Sequence, residues 1–205
     1  MPRLIYHTGA CSLAPHVVLE WIGAPYEEQA VEFGDRDLLA ANPAGAVPVL
    51  IEDDGWTLTQ CGAILHYLAR KHPQADLAGG DDARAAAELD RWSSFFTGDL
   101  HPSFYPIFMP QRYTTSADPA ARDAVQEAGR KLVRKRLKLL DAQLDGRDFI
   151  LGRRSVVDAY AFPMIRWAAN LLPEGIQAWP NVQALHDRIA ADPAVQRVLA
   201  REEGE

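Results

Sequence analysis

The chain has 205 residues, of which 48% are hydrophobic and 24% are charged, and its formal net charge at pH 7 is −7. This composition is typical of a globular protein with a sizeable core, in one large domain or two small ones. The negative charge argues against nucleic acid or an anionic membrane as the main partner. No apolar run approaches the roughly 18 residues that a membrane helix needs, and no signal-peptide pattern is found. We therefore expect a cytoplasmic protein.

The spacing of cysteine and histidine excludes several site classes. Cys11 and Cys61 are the only cysteines, so neither a disulfide framework nor a C-x-x-C motif is present. The six histidines never pair as H-x-x-x-H, and no glycine-rich phosphate loop with its lysine occurs. We therefore expect no metal site.

Cys11 lies at a predicted junction of a strand and a helix. A short strand over 4–7 turns through 8–10 into a helix over 12–22, which Gly23 ends. A helix N-terminus favours anions, so a thiol there is suited to act as a nucleophile or an anion-binding group. The alternative is a buried cysteine that packs as a small hydrophobe, and this segment alone leaves both interpretations open.

The remaining N-terminal segments continue an alternation of strands and helices. A weak strand is predicted at 26–31 and a short helix at 37–41. A hairpin follows, with strands at 49–51 and 56–58 joined by Asp54-Gly55, and then a helix over 61–71. The predicted order is βαβα–ββα.

The chain beyond a linker at 74–82 is predicted to be all helical. One long helix spans 83 to about 108, with an end disrupted by prolines. Asp118-Pro119 opens a second helix, whose apolar face is predicted to consist of Val125, Ala128, Leu132, Leu137, Leu140 and Leu144. Ser155 and Asp158 form a capping-box-like start for an apolar, central helix through Leu171, and helices over 181–191 and 194–200 follow.

Together these segments resemble a cytosolic glutathione S-transferase, most closely of the bacterial beta class. The resemblance rests on the segments 9–12 (GACS), 42–48 (NPAGAVP), 59–64 (TQCGAI), 100–101 (LH) and 152–159 (GRRSVVDA). It implies an α/β thioredoxin-like domain over 1–73, a linker over 74–82 and an all-α domain over 83–205. It also implies a homodimer with glutathione as co-substrate.

The resemblance assigns a set of glutathione-binding residues: Ala10, Cys11, Val47, Pro48, Gln60 and Cys61. Val47-Pro48 resembles the cis-proline segment that offers its backbone to the tripeptide, and Gln60 resembles the residue that binds the γ-glutamyl end. Cys61 stands where the family has serine, so one hydroxyl contact is lost. The lysine frequent between 32 and 42 is also missing, with Arg36 as a candidate substitute.

Cys11, His101 and Ser12 are the candidate catalytic residues. His101 resembles the beta-class histidine that reaches the reactive cysteine, where it donates a hydrogen bond or moves a proton. Its alternative is a satisfied histidine between the domains. Ser12 is a rival hydrogen-bond donor to the glutathione sulfur. The predicted electrophile site is an apolar cleft between the domains, lined by Phe104, Tyr105, Phe108, Met109, Tyr113 and Trp167, of which about half are expected to be plain core.

Three functions remain open at this stage. The leading one is conjugation of glutathione to small apolar electrophiles. The second is disulfide or peroxide reduction through a mixed disulfide of Cys11 with glutathione. The third is a non-catalytic ligand-binding protein on the same fold. Glutathione bound to Cys11 would favour the second, and glutathione affinity without turnover would favour the third.

Overall fold

The computed structural model describes residues 1–204, and its N-terminal half is built on a four-stranded sheet. The strands are β1 (Arg3–Tyr6), β2 (Glu27–Ala30), β3 (Val49–Ile51) and β4 (Thr57–Thr59), in the order β2-β1-β3-β4. Strand β1 runs parallel to β2 and antiparallel to β3, and β3 runs antiparallel to β4. The order of these strands along the chain agrees with the predicted βαβα–ββα, and the mixed sheet confirms the thioredoxin-like fold.

Nine α-helices are described for residues 1–204. Those of the N-terminal half are α1 (Leu13–Ile22), α2 (Arg36–Ala41) and α3 (Cys61–Lys71). Those of the C-terminal half are α4 (Ala83–Phe95), α5 (His101–Phe108), α6 (Pro119–Gln143), α7 (Val156–Leu171), α8 (Pro180–Ala190) and α9 (Pro193–Glu203). None of them combines the length and hydropathy needed to cross a membrane.

The helical stretch predicted from 83 to about 108, with an end disrupted by prolines, is helical throughout but divided into three segments. Helix α4 ends at Phe95, a π-helical segment covers Phe96–Leu100, and α5 begins at His101. Pro102, in the first turn of α5, has no backbone N–H to donate into the preceding turn, so the regular α-helical bonding is interrupted where α5 begins. The hydroxyl of Ser103 donates to the carbonyl of Asp99 at 2.6 Å within this interrupted stretch. The interruption places His101 at the start of a separate helix.

The predicted apolar face of α6 also needs correction. Leu132 is 43% exposed and Ala128 is exposed, whereas the buried positions are Gly129, Val133, Leu137, Leu140 and Leu144. Gly129 determines which face of α6 is buried, because a Cβ at this position would lie 2.8 Å from Ile107 Cγ1. The missing side chain lets α5 approach this side of α6 closely.

Helix α7 is the central helix, as its composition predicts. Its capping box is present, with the Asp158 carboxylate accepting hydrogen bonds from the Ser155 backbone N–H and hydroxyl. Burial raises the pKa of Asp158 to about 6. Hydrogen bonds to its carboxylate, including one from the Ile150 N–H, act in the opposite direction but are outweighed by burial. Helix α7 packs against α1 and α3, so one hydrophobic core joins the two halves of the chain.

Candidate functional site

A cavity of about 590 Å³ lies where the loops of the sheet face α5 and α7. Its polar and backbone side is formed by residues 7–11 and 44–47, and its other side by residues of the C-terminal half. The lining residues named in the sequence analysis are Ala10, Cys11, Val47, His101, Tyr105, Phe108, Met109 and Trp167. The structure therefore brings together most of the predicted catalytic and electrophile-binding residues.

Cys11 lies directly before Ser12, the N-cap residue of α1, as predicted. Its thiol donates to the carbonyl of Val47 at 3.6 Å, and the Val47–Pro48 peptide is cis. The N–H groups of Leu13 and Ala14 already donate to the carbonyls of Ala10 and Cys11. The start of α1 thus offers fewer open donors than the sequence suggests, and the thiol is held instead by the wall that contains Val47.

Ser12 does not reach the cavity. Its side chain is fully buried, its hydroxyl donates to the carbonyl of His7 at 3.1 Å, and it accepts from the His7 N–H at 3.2 Å. A hydroxyl with both partners inside the protein is not free to contact a substrate. The prediction of Ser12 as a rival donor is therefore corrected, because the structure uses this residue to fix the turn before α1.

The Cys61 side chain points away from the cavity lining. It is buried, and its thiol donates to the carbonyl of Cys11 at 3.5 Å. Burial and a hydrogen bond with the Cys11 thiol raise the pKa of Cys61 well above its ordinary value. The Cys61 thiol therefore lies outside the cavity lining. Pro48 is also buried behind the wall that Val47 forms.

Gln60 lies at the start of α3 in an unusual backbone conformation, with φ at 74°. It is exposed and lines a second, more open groove of about 740 Å³ between α3 and α4. Within residues 1–204, no side chain caps α3. The first N–H groups of this helix therefore remain suited to an anion.

His101 is a neutral group in this cavity. Burial lowers its pKa to about 4. Its ring lies 5.2 Å from the ring of Tyr105 and 5.2 Å from that of Trp167, measured between centroids. A neutral imidazole carries one N–H donor and one acceptor, so it can donate one hydrogen bond but does not offer a full positive charge.

Tyr105 supplies a second donor in the cavity. Burial raises its pKa, and the nearby Cys11 thiol adds to this effect. Its hydroxyl therefore stays protonated over the neutral range and can donate a hydrogen bond in the cavity that Cys11 also lines. The sequence analysis assigned Tyr105 only to the apolar wall.

Four of the six residues proposed for the apolar wall line the cavity, namely Tyr105, Phe108, Met109 and Trp167. Phe108 is 43% exposed and lines the cavity together with Met109 and Trp167. Phe104 is fully buried and supports the wall from behind, 5.3 Å from Trp167 and 6.0 Å from Phe108 between ring centroids. Tyr113 is half exposed and lies outside the lining. Phe104 and Tyr113 are therefore corrected from lining to supporting and peripheral positions.

The sequence analysis missed Arg112 and Phe33, both of which line the cavity. Arg112 is the last residue of a short 3-10 turn over Pro110–Arg112, and nothing in the local sequence pattern indicates that this turn returns to the cavity. Arg36, the expected substitute for the lysine, is exposed on α2 and outside the lining. Within residues 1–204, no group of three or more His, Cys, Asp or Glu side chains is arranged to hold a metal.

Comparison with known proteins covers both halves of the chain. The family models described as "Glutathione S-transferase, N-terminal domain" and "Glutathione S-transferase, C-terminal domain" match residues 4–70 and 100–193. A glutathione S-transferase of Xanthomonas campestris, GST-4.5, is 39% identical over 98% of each chain. Another from Escherichia coli O157:H7, GstA, is 31% identical over 98% of each chain.

Solved structures agree with these matches. A glutathione S-transferase from Xylella fastidiosa superposes with a TM-score of 0.91 at 33% identity, over 99% of each chain. A sphingomonad glutathione S-transferase complexed with glutathione superposes with a TM-score of 0.87 at 34% identity, over 99% of this chain and 100% of that one. A beta-class enzyme from Sphingomonas chungbukensis gives a TM-score of 0.87 at 35% identity, over 98% of each chain. Since family models, sequence relatives and solved structures agree over nearly its whole length, this chain belongs to the glutathione S-transferase family.

Proposed function

We propose that this glutathione transferase joins glutathione, its co-substrate, to small apolar electrophiles in the cavity beside Cys11. The observation that carries the proposal is the composition of the two cavity walls. One wall presents Cys11 and the Val47 backbone, and the other presents Tyr105, Phe108 and Trp167. A thiol-containing peptide and an apolar electrophile would therefore meet between them.

The first wall has groups that suit the parts of glutathione. The Val47 backbone lies beside the Cys11 thiol, where an extended peptide can pair with it. The uncapped start of α3, next to Gln60, suits the γ-glutamyl carboxylate. Arg112 in the lining adds a cation for a tripeptide that carries two carboxylates. These assignments follow the family pattern, with Arg112 in place of the lysine that the sequence lacks.

The chemistry requires a glutathione thiolate in a pocket that excludes water. The thiolate forms a carbon–sulfur bond to the electrophile, and the leaving group departs with its electron pair, while the thiol proton passes to solvent. The hydroxyl of Tyr105 and the N–H of neutral His101 would donate hydrogen bonds to the developing or resting thiolate. In this scheme Cys11 lies beside the glutathione sulfur and does not attack the electrophile.

Steady-state conjugation of glutathione to 1-chloro-2,4-dinitrobenzene, an apolar aryl halide, tests this proposal. The variant Phe108→Ser should raise KM for the halide several-fold and leave KM for glutathione unchanged. Leu132→Ser is the matched control, since Leu132 is equally exposed but lies on α6 outside the lining. Turnover that is absent while glutathione still binds would favour a ligand-binding protein instead.

A second candidate function is disulfide or peroxide reduction through a mixed disulfide of Cys11 with glutathione. It is favoured by one observation, the position of the Cys11 thiol in the cavity lining. Cysteine is a weak hydrogen-bond donor but a good partner in disulfide exchange. Detection of glutathionylated Cys11 by intact mass spectrometry, with no conjugation of electrophiles, would place this function first.

We also infer that the chain forms a homodimer through the groove between α3 and α4. Trp56 is 47% exposed in this groove, and Ala63 and Tyr67 line it as well. His66 also lines it, and its Nε2 atom is buried without a hydrogen-bond partner among residues 1–204. A second copy would cover the exposed tryptophan and supply a polar partner, as expected for a two-fold interface.

A further inference from the structure

The two cysteines of this chain meet in the core although 49 residues separate them in sequence. The Cys61 thiol donates to the carbonyl of Cys11 at 3.5 Å, and the Cys11 thiol donates to the carbonyl of Val47 at 3.6 Å. Both side chains are free thiols, with 8% of Cys11 and 6% of Cys61 exposed. Such a contact joins the turn before α1 to the first residue of α3.

The two thiols differ in access. Cys11 lines the cavity, whereas Cys61 lies behind it and contacts Cys11 from the side of the core. A reagent in the cavity can therefore reach Cys11 first. Cys61 can then react only at the sulfur of Cys11. This order is the geometry of an attacking and a resolving cysteine.

The surroundings of Cys61 support a role in the second step. Burial and the Cys11 thiol raise its pKa, whereas a hydrogen bond from the Tyr160 hydroxyl lowers it. That hydroxyl lies 3.2 Å from the hydroxyl of Thr97, so it is held in place on α7. Burial is the largest cause of this raised pKa and persists after Cys11 has reacted, so the Tyr160 hydroxyl is the neighbouring group that can stabilise a Cys61 thiolate.

We propose that Cys11 and Cys61 form a two-cysteine thiol–disulfide exchange site that reacts with glutathione disulfide. The Cys11 thiolate attacks one sulfur of glutathione disulfide, forms a mixed disulfide and releases one glutathione thiolate. The Cys61 thiolate then attacks the Cys11 sulfur, forms the Cys11–Cys61 disulfide and releases the second glutathione thiolate. The dithiol protein is oxidised, glutathione disulfide is reduced to two glutathione molecules, and the two cysteine protons accompany them.

This proposal rests on the glutathione site at Cys11 that the proposed function describes, and it adds Cys61 as the second reacting group. It also gives a physical role to the cysteine that replaces the usual serine. A serine at position 61 cannot form a disulfide with Cys11, so the reaction would stop at the mixed disulfide of Cys11 with glutathione. The substitution therefore changes the chemistry of the site, and not only a hydrogen bond to the ligand.

Intact mass spectrometry after incubation with glutathione disulfide tests the proposal. The wild-type chain should lose two hydrogens, and peptide mapping should link Cys11 to Cys61. The variant Cys61→Ser should gain one glutathionyl group and keep it, and Cys11→Ser should show neither change. Tyr160→Phe should slow release of the second glutathione by about tenfold, the loss of one hydrogen bond to a thiolate.

A second oxidant separates the two proposals. Diamide, which oxidises neighbouring thiols without a glutathione site, should also link Cys11 to Cys61. If diamide links them and glutathione disulfide does not react, the exchange with glutathione disulfide is refuted, whereas KM for glutathione in the conjugation assay decides separately on the glutathione site. If diamide leaves both thiols free, or if the wild-type mixed disulfide lasts as long as that of Cys61→Ser, the exchange site is refuted while conjugation can still stand.

Discussion

The indole Nε1 of Trp167 donates to the carbonyl of Gly9 at 2.8 Å. This bond joins α7 in the C-terminal half to the turn that leads into Cys11. The same indole ring packs against His101 and Phe108. The position of Cys11 is therefore determined by both halves of the chain. A substitution at Trp167 on α7 should shift the position of the Cys11 thiol.

Trp167→Phe removes the hydrogen bond and keeps an aromatic ring in the wall. We expect the free energy of unfolding to fall by about 1 kcal/mol, the usual net value of one hydrogen bond. We also expect kcat/KM for conjugation to fall several-fold, because the turn before Cys11 loses the hydrogen bond that holds it against α7. Denaturant unfolding and steady-state kinetics measure the two effects.

Trp21→Phe is the control for this variant. Trp21 Nε1 donates to the Asp192 carboxylate at 3.1 Å, outside the cavity. Its loss should lower stability by a similar or larger amount, since the acceptor is charged, and leave kcat/KM unchanged. Equal kinetic losses in both variants would show that Trp167 acts through general stability alone.

Tyr105→Phe tests the donor role of the phenol. Removal of the hydroxyl should lower kcat/KM by about tenfold, the equivalent of one hydrogen bond to a charged sulfur. Tyr26→Phe is the matched control, because its hydroxyl donates to Glu20 at 3.0 Å away from the cavity. An unchanged kcat/KM in Tyr105→Phe would limit this residue to a wall of the site.

His101 should make the fold sensitive to acid. Burial lowers its pKa to about 4 in the folded chain, against the ordinary value of 6.5 that the unfolded chain keeps. As the pH falls below 6.5 the unfolded chain takes up the proton first, so stability is lost between about pH 6.5 and about pH 4. The full loss amounts to about 3 kcal/mol.

The variant His101→Phe isolates this contribution. Free energies of unfolding for wild type and variant, measured at about pH 7.5 and about pH 4.5, should show a smaller acid loss in the variant by about 2 kcal/mol. All other titrating groups are common to the two proteins, so they cancel in the comparison. Identical acid losses would mean that His101 is already protonated or solvated in the folded chain.

The proposed homodimer predicts a molar mass twice the 22.7 kDa of one chain in light scattering. Ala63→Glu places a charge in the groove between α3 and α4 and should yield the single-chain mass. Leu132→Glu, on the exposed side of α6, should leave the dimer intact. A single-chain mass for the wild type at micromolar concentration would rule out this dimer.

Sequence patterns predicted most of the helices and strands because turns and helix caps depend on interactions between residues close together in the chain. Three predicted features of this kind are confirmed, since each depends only on nearby backbone. They are the hairpin turn at Asp54-Gly55, the helix start at Asp118-Pro119, and the capping box of Ser155 and Asp158. The buried face of α6 was mispredicted because α5 and Gly129 decide it. That contact depends on a partner helix that a periodicity pattern does not contain.

Residues of the site could be predicted where they belong to a family motif. The direction of their side chains could be predicted less well. Cys11, Val47 and His101 reach the cavity as expected. Ser12 and Cys61 occupy the expected sequence positions, yet their side chains turn towards His7 and Cys11. Spacing along a chain does not determine which way a side chain points at a helix start, where partners from other elements compete for it.

A crystal structure with the glutathione conjugate of dinitrobenzene tests the account most directly. The account predicts that the conjugate sulfur lies beside Cys11 and that its peptide pairs with the Val47 backbone. The aryl group should lie against Tyr105, Phe108 and Trp167. A conjugate bound outside this cavity, or one whose sulfur faces away from Cys11, would contradict the proposed site and the roles assigned to its two walls.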